Sequence, residues 1–108
     1  MKRALVLLTL CILAAVATAR AADVKENWDK YCLKCHGKDG KGNTPTGRKL
    51  HVKDYTDAKV QADMKDDEMI KIIKEGKKEG DTTKMKAFTD LSDAEVKALV
   101  AYIRTMKP

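Results

Sequence analysis

Two cysteines and a histidine lie close together in this chain, as Cys32, Cys35 and His36. The order C-x-x-C-H is the attachment motif of a c-type haem, in which each thiol adds to one haem vinyl group and the imidazole that follows binds the iron. The two vinyl groups lie at one edge of the macrocycle, so two thiols about one helical turn apart can reach both. Because the motif occurs once, the sequence predicts one covalent haem c.

Three other interpretations of the motif have less support. A structural zinc site needs more Cys or His ligands, and the only histidine besides His36 is His51. A redox pair of the thioredoxin type needs a βαβ context, which the sequence pattern does not provide. A disulfide between Cys32 and Cys35 would close a very small loop and would stabilise the chain little.

A helix over residues 23–36 is expected to carry the motif. Further helices are expected over about residues 67–75 and 92–106, with a short turn of helix at 58–63. The last of these begins at a Ser-x-x-Glu capping box. No segment alternates as a strand, and residues 77–89 are expected to be a polar loop. The fold class is therefore all-α, with three to four short helices joined by long loops.

The first 21 residues have the pattern of an export signal. A basic start is followed by 14 mostly apolar residues, 4–17, and then by small-x-small cleavage sites. That stretch is shorter than the roughly 17 to 25 residues that a membrane span needs. We expect cleavage after Ala19 or Ala21, a haem domain over residues 22–108, a periplasmic location and no stable membrane insertion after cleavage.

The charge and the size of the mature domain argue against some partners and indicate that it folds around a buried group. The 108 residues include 22 Lys and Arg against 16 Asp and Glu, a net charge of +6. Cleavage after Ala21 would remove Lys2, Arg3 and Arg20, which leaves 19 positive against 16 negative residues, a net charge of +3. This modest charge on an exported chain argues against nucleic acid as a partner. With one Trp and one Phe, the single domain has a thin core and needs a buried group to fold around.

On these residues the chain resembles the class I cytochromes c, small proteins with a single covalent haem. The likeness extends over the mature chain and is carried by the motif with the glycine-rich residues 37–42, by residues 85–88 and by the C-terminal helix, residues 91–104. It implies the cytochrome c fold, in which long loops wrap around the haem and the first and last helices cross near its edge.

The resemblance also implies a sixth iron ligand on the far face of the haem. Met85 is the candidate, because Met85-Lys86-Ala87-Phe88 is similar to a family segment of Met, Pro, a small residue and Phe, with Lys86 in place of the proline. Met64, near a helix end, is the main alternative. The remaining candidates are expected in the core or on the surface, namely Met69, Met106 and His51.

Supporting roles follow from the same resemblance. The backbone carbonyl of Pro45 is expected to accept a hydrogen bond from the His36 ring, which leaves the other ring nitrogen for iron. Tyr55 is expected either to reach a haem propionate or only to pack. The residues expected to pack where the helices cross are Trp28, Tyr31 and Tyr102.

A haem with both axial positions filled has no open site for O₂ or substrate, so the expected function is that of a monomeric one-electron carrier and not of an enzyme. Lysines near the haem edge are expected to attract an acidic redox partner, namely Lys34, Lys38, Lys41, Lys84 and Lys86. Two alternatives stay open. They are a five-coordinate haem protein that binds gases or acts as a peroxidase, and a haem subunit of a larger dehydrogenase.

The export signal gives a first prediction, because cleavage fixes the start of the mature protein. We expect the purified protein to begin at Arg20 or Ala22, and an intact-mass measurement checks this. A mass that retains residues 1–19, or a lipid on Cys11, would contradict the prediction and indicate a membrane-anchored carrier.

Overall fold

The computed structural model describes residues 23–107, and the predicted signal segment, residues 1–21, lies outside them. This part of the chain contains five helices and one two-stranded antiparallel sheet. None of the helices described there combines the length and apolar character that a membrane crossing requires. The predicted helical class is confirmed. The structure adds one helix to the four that were expected and a hairpin where no strand was expected.

Helix α1 covers residues 23–36, as predicted, and changes its winding on the way. It contains a π-helical segment, Trp28–Cys32, which is followed by an α-helical turn, Leu33–His36. The indole Nε1 of the buried Trp28 donates to the carbonyl of Gly37 over 3.1 Å. Gly37 ends the helix with φ of 79°, a conformation that glycine adopts without strain. Trp28 therefore ties the end of the motif to the core.

Helix α2, Pro45–Leu50, lies where the sequence pattern indicated a loop. Thr44 caps it, because its side chain accepts a hydrogen bond from the amide of Gly47 over 2.9 Å. Pro45 occupies the first turn, where a missing amide hydrogen costs nothing. The sequence prediction of long loops between the helices did not include this helix, although Thr44 and Pro45 form a cap and first-turn pair.

Helices α3 and α4 follow as Ala58–Asp63 and Asp66–Glu75. The side chain of Asp57 caps α3, where it accepts hydrogen bonds from the amides of Lys59 and Val60. Helix α4 carries acids in its first turn and a lysine in its last, which suits the helix dipole. Both helices were expected close to these positions.

A β-hairpin replaces the polar loop expected over residues 77–89. Strand β1, Lys77–Glu79, pairs with strand β2, Thr82–Met85, and Lys77 lies opposite Met85. Gly80 lies between the strands with φ of 58°. Because both strands are short and β1 is exposed along its whole length, they have no alternating apolar pattern that would predict them.

Helix α5, Asp93–Arg104, completes the core and begins at the predicted capping box. The side chain of Ser92 accepts from the Glu95 amide over 3.1 Å, and Glu95 accepts from the Ser92 amide over 3.0 Å. Trp28 of α1 meets Tyr102 of α5 edge-on, with ring centroids 5.5 Å apart. The first and last helices therefore pack together, and α4 lies against α5 through an ion pair between Lys74 and Asp93.

Candidate functional site

The last turns of helix α1 bring the motif to a single cavity. Cys32 ends the π-helical segment, and Cys35 and His36 follow in the final α-helical turn. All three line a cavity of about 610 Å³, a volume within the range of small-molecule and cofactor sites. Both thiols are free and half-buried. The two sulfurs and the imidazole therefore face one space that can hold a cofactor.

Every element of the described chain contributes to the lining of this cavity. Much of the lining is apolar and includes Leu50, Met69, Ile72, Ile73, Phe88, Leu99 and Ile103. Such walls keep water out and lower the local dielectric, which strengthens electrostatic effects inside.

His36 is prepared for metal binding. Its Nδ1 is buried and has no hydrogen-bond partner among the described residues. Burial lowers the pKa of His36 to about 4, which keeps the imidazole neutral, the form that binds metals. The ring lies nearly parallel to that of Tyr55, with centroids 5.1 Å apart and planes 19° apart. His36 is therefore oriented by packing and not by a hydrogen bond.

Two further groups in the cavity are also held neutral. Burial raises the pKa of Cys32 to about 12, and the neighbouring Cys35 adds to the effect. Burial likewise raises the pKa of Tyr55 to about 12, with a smaller contribution from Cys32. The three shifts have the same main cause, the loss of hydration around the charged form. The cavity is therefore a low-dielectric environment.

Three residues hold α2 against the motif, and none of them was predicted to do so: Gly42, Thr44 and Gly47. The hydroxyl of Thr44 donates to the Cys35 carbonyl over 3.0 Å, and the Gly42 amide donates to the His36 carbonyl over 2.9 Å. A side chain on the buried Gly47 would collide with the Cys35 carbonyl. The signal that could have found them is Thr44 followed by Pro45, a cap and first-turn pair.

The residues at this cavity fit a covalent haem, and comparison with known proteins agrees. The chain is similar to a solved structure described as KustC0563 c-type cytochrome, with 34% sequence identity over 78% of this chain and 96% of that chain and a TM-score of 0.68. A tyrosine-to-phenylalanine mutant of Kustc0563 gives 35% identity over 79% and 99% of the two chains and a TM-score of 0.66. No curated protein matches the chain.

The family model described as cytochrome c oxidase, cbb3-type, subunit III matches residues 19–103. This protein is a small c-type cytochrome. It belongs to the family that this model describes, and its fold is the cytochrome c fold. Membership implies a covalently bound haem c and makes the protein a haem-based electron carrier, not an enzyme.

In this cytochrome, the hydrogen bond predicted from His36 to the Pro45 carbonyl is not formed. Within residues 23–107, Nδ1 of His36 has no hydrogen-bond partner, and Pro45 is the first residue of α2. A carbonyl in that position points along the helix toward the amide four residues ahead. The sequence pattern did not indicate α2. Because Pro45 lies in that helix, its carbonyl points along the helix and not toward the His36 ring.

Both candidate methionine ligands of the cytochrome line the cavity. Met85 is the last residue of β2, and Met64 follows α3 directly; both are half-buried. The segment after Met85 is held by the Phe88 amide, which donates to the Ile73 carbonyl over 2.9 Å. Gly76, with φ of 79°, lets this segment cross close to the end of α4. The structure thus brings both candidate ligands to the cavity, where Met69 also lies.

The other residues weighed as ligands lie in different surroundings. Met69 is buried and lines the cavity from α4, in the core position that was expected. Met106 packs near Gly40 and does not line the cavity. His51 is exposed at the end of α2, with φ of 55°, and lies at the cavity edge.

The lysines at the cavity are partly those expected. Of the predicted set, Lys34, Lys84 and Lys86 line it, whereas Lys38 and Lys41 do not. The further lysines in the lining are Lys30, Lys53, Lys65 and Lys77, and the acids are Asp63, Glu68 and Glu79. The rim therefore carries more positive than negative charge.

Removal of both thiols tests the role of the motif. We expect Cys32→Ala with Cys35→Ala to abolish covalent haem and most of the folded structure, because the haem replaces much of the core. Visible absorption and far-ultraviolet circular dichroism of the purified protein measure the two effects. Lys34→Ala, within the same motif, is the matched control and should keep both. A haem-free double variant with full helicity and a cooperative melt would show that the chain folds without its cofactor.

Proposed function

We propose that this cytochrome is an exported, monomeric carrier of single electrons that binds one haem c. In this arrangement Cys32 and Cys35 would hold the haem by thioether bonds, and His36, through Nε2, and Met85 would bind the iron. The observation that carries the proposal is that one cavity is lined both by the attachment motif and by methionines from other elements. The export signal supports a periplasmic location.

The residues around the cavity suit electron transfer. When bound, a haem supplies a one-electron couple between ferric and ferrous iron. His36 supplies a neutral imidazole whose orientation is fixed by Tyr55 and Trp28, with ring centroids 5.1 and 5.9 Å from its own. If Met85 also binds the iron, its sulfur would leave no open position for O₂ and would raise the reduction potential. The apolar walls limit the solvent that must reorient when the charge changes.

Met85 is preferred to Met64 for two reasons. Residues 85–88 resemble the family segment that carries the ligand, including the aromatic residue three positions later. That residue, Phe88, is buried and meets Tyr31 edge-on with centroids 5.6 Å apart, so the segment is fixed close to the motif helix. Met64 has neither the flanking pattern nor an aromatic residue in the same position.

The partner that fits the rim is an acidic redox protein. Seven lysines and three acids line the cavity, so a negatively charged surface would be attracted to the edge where electrons enter and leave. Lys84 is paired with Glu79 over 3.7 Å and its charge is partly compensated. Lys34 and Lys86 are exposed, as are the other lysines of the lining except Lys84, and they contribute to attraction at long range.

The ligand assignment is tested by Met85→Ala beside Met64→Ala, with Met106→Ala as the control methionine outside the cavity. We expect only Met85→Ala to remove the weak far-red absorption band of ferric Met ligation and to lower the reduction potential, because the iron loses its sulfur ligand. Spectroscopy and a redox titration measure both. Loss of the band in Met64→Ala alone would show that Met64 is the ligand. A wild-type protein without the band that binds carbon monoxide readily would favour the five-coordinate alternative.

The charged rim is tested by its reaction with a small anionic oxidant, hexacyanoferrate(III). We expect Lys34→Gln with Lys86→Gln to slow oxidation of the ferrous cytochrome by about three- to tenfold at low salt, because two positive charges leave the rim. Stopped-flow rates over a range of ionic strength measure this. Lys49→Gln with Lys97→Gln, two exposed lysines outside the cavity lining, should have a much smaller effect. Equal slowing in both pairs would indicate a response to net charge alone.

A further inference from the structure

A buried polar cluster lies beside the haem cavity, between α3 and the end of α5. Its centre is Gln61, whose side chain is 9% exposed. Among residues 23–107, Gln61 is the polar residue that is buried. The amide Nε2 of Gln61 donates to the Tyr55 carbonyl over 2.7 Å and to the Ile103 carbonyl over 3.0 Å. One side chain thus joins the segment that carries Tyr55 to the last turn of α5.

Arg104 extends this cluster along the same wall. Its Nη1 donates to the backbone and side-chain oxygens of Gln61 over 2.6 and 3.0 Å. Its Nη2 donates to the Met64 carbonyl over 2.7 Å, and its Nε donates to the Asp66 carboxylate over 2.9 Å. A planar guanidinium can serve several acceptors in fixed directions, which the single ammonium of lysine cannot do.

The acceptors of this cluster distinguish it from an ordinary helix cap. An arginine near a helix end often contacts only the last carbonyls of its own helix. The donors of Arg104 instead reach residues that lie 38 to 43 positions earlier in the chain. Two of the backbone carbonyls that the cluster holds belong to Tyr55 and Met64, and both residues line the haem cavity. The side chain of Tyr55 also packs on His36.

We propose that Arg104 and Gln61 are positioning residues that keep Tyr55 and Met64 closed over the haem cavity and so exclude water and foreign ligands from the iron. The proposal rests on the proposed haem site. The cluster holds the side of the cavity that carries Tyr55 and Met64 through the backbone carbonyls of these residues. This side of the cavity therefore stays in place whichever methionine binds the iron. Without the guanidinium, the Met64 carbonyl and the Gln61 oxygens lose their donor, and the segment between α3 and α4 opens more often.

The test compares the ferric holoprotein of wild type, Arg104→Met, Arg104→Lys and Asn27→Ala. Arg104→Met keeps the aliphatic stem but removes every donor. Asn27→Ala is the matched control, because it removes a hydrogen bond of 2.9 Å to Glu95 at the other end of α5. Imidazole binding to the iron, hydrogen exchange of the amides of residues 58–66 and the melting temperature are measured for each.

We expect Arg104→Met to bind imidazole at least about tenfold faster and to exchange the amides of residues 58–66 faster by a similar factor, because the loss of even one of its charge-assisted hydrogen bonds shifts an opening equilibrium by about that much. Arg104→Lys should lie between wild type and Arg104→Met. Asn27→Ala should lower the melting temperature while leaving both rates near those of wild type. That pattern supports a positioning role.

Other outcomes overturn the proposal. If Arg104→Met and Asn27→Ala change both rates in proportion to the stability they lose, Arg104 has only a structural role. If Arg104→Met does not retain haem, the comparison is made with Arg104→Lys instead. Rates of imidazole binding and amide exchange that equal those of wild type in Arg104→Lys then contradict the proposal. If wild type already binds imidazole as fast as an open haem, the six-coordinate carrier is wrong. In that case, hydrogen exchange still decides whether Arg104 holds the wall.

Discussion

The requirement that one end of helix α1 present two thiols and an imidazole to the same cavity constrains the rest of the structure. The winding changes from π-helical to α-helical at Cys32, within the motif. Trp28 fixes the end of the helix through Gly37, and Thr44 holds α2 against Cys35. Helix α5 then packs on Trp28. The attachment motif is therefore tied to the buried apolar cluster of the core, which includes Trp28 and the buried face of α5.

The hairpin changes how Met85 reaches the cavity. In a free loop, the approach of the sulfur would depend on loop stiffness, and Lys86 in place of a proline would weaken it. Here Met85 is paired with Lys77 in a strand register, and Gly76 and Phe88 hold the segment on both sides. The pairing with Lys77, which lies beside an irregularity in the strand register, and the Phe88 hydrogen bond hold this segment without a proline.

Local sequence signals predicted α1, α4, α5 and the attachment motif. Helix caps, apolar stripes and the C-x-x-C-H motif each depend only on residues that are close together in the sequence. They did not predict the hairpin, whose strands are exposed and too short to alternate. They also could not predict the Gln61 and Arg104 cluster, since its partners are about 40 residues apart and each residue alone reads as a surface polar group. Burial and long-range hydrogen bonds decide these features, and a single sequence does not display them.

The two methionine-bearing walls of the cavity are stabilised in different ways. The wall with Met85 depends on backbone contacts and strand pairing, which tolerate many side-chain changes. The wall with Met64 depends on the donors of one arginine. The ion pair of Arg104 with Asp66 contributes little by itself, because the side chains are 31% and 66% exposed. The hydrogen bonds to the part-buried carbonyls of Gln61 and Met64 contribute more, because an acceptor removed from water and left unpaired costs up to about 1 to 3 kcal/mol. Directionality, and not positive charge, is therefore what this wall requires of residue 104.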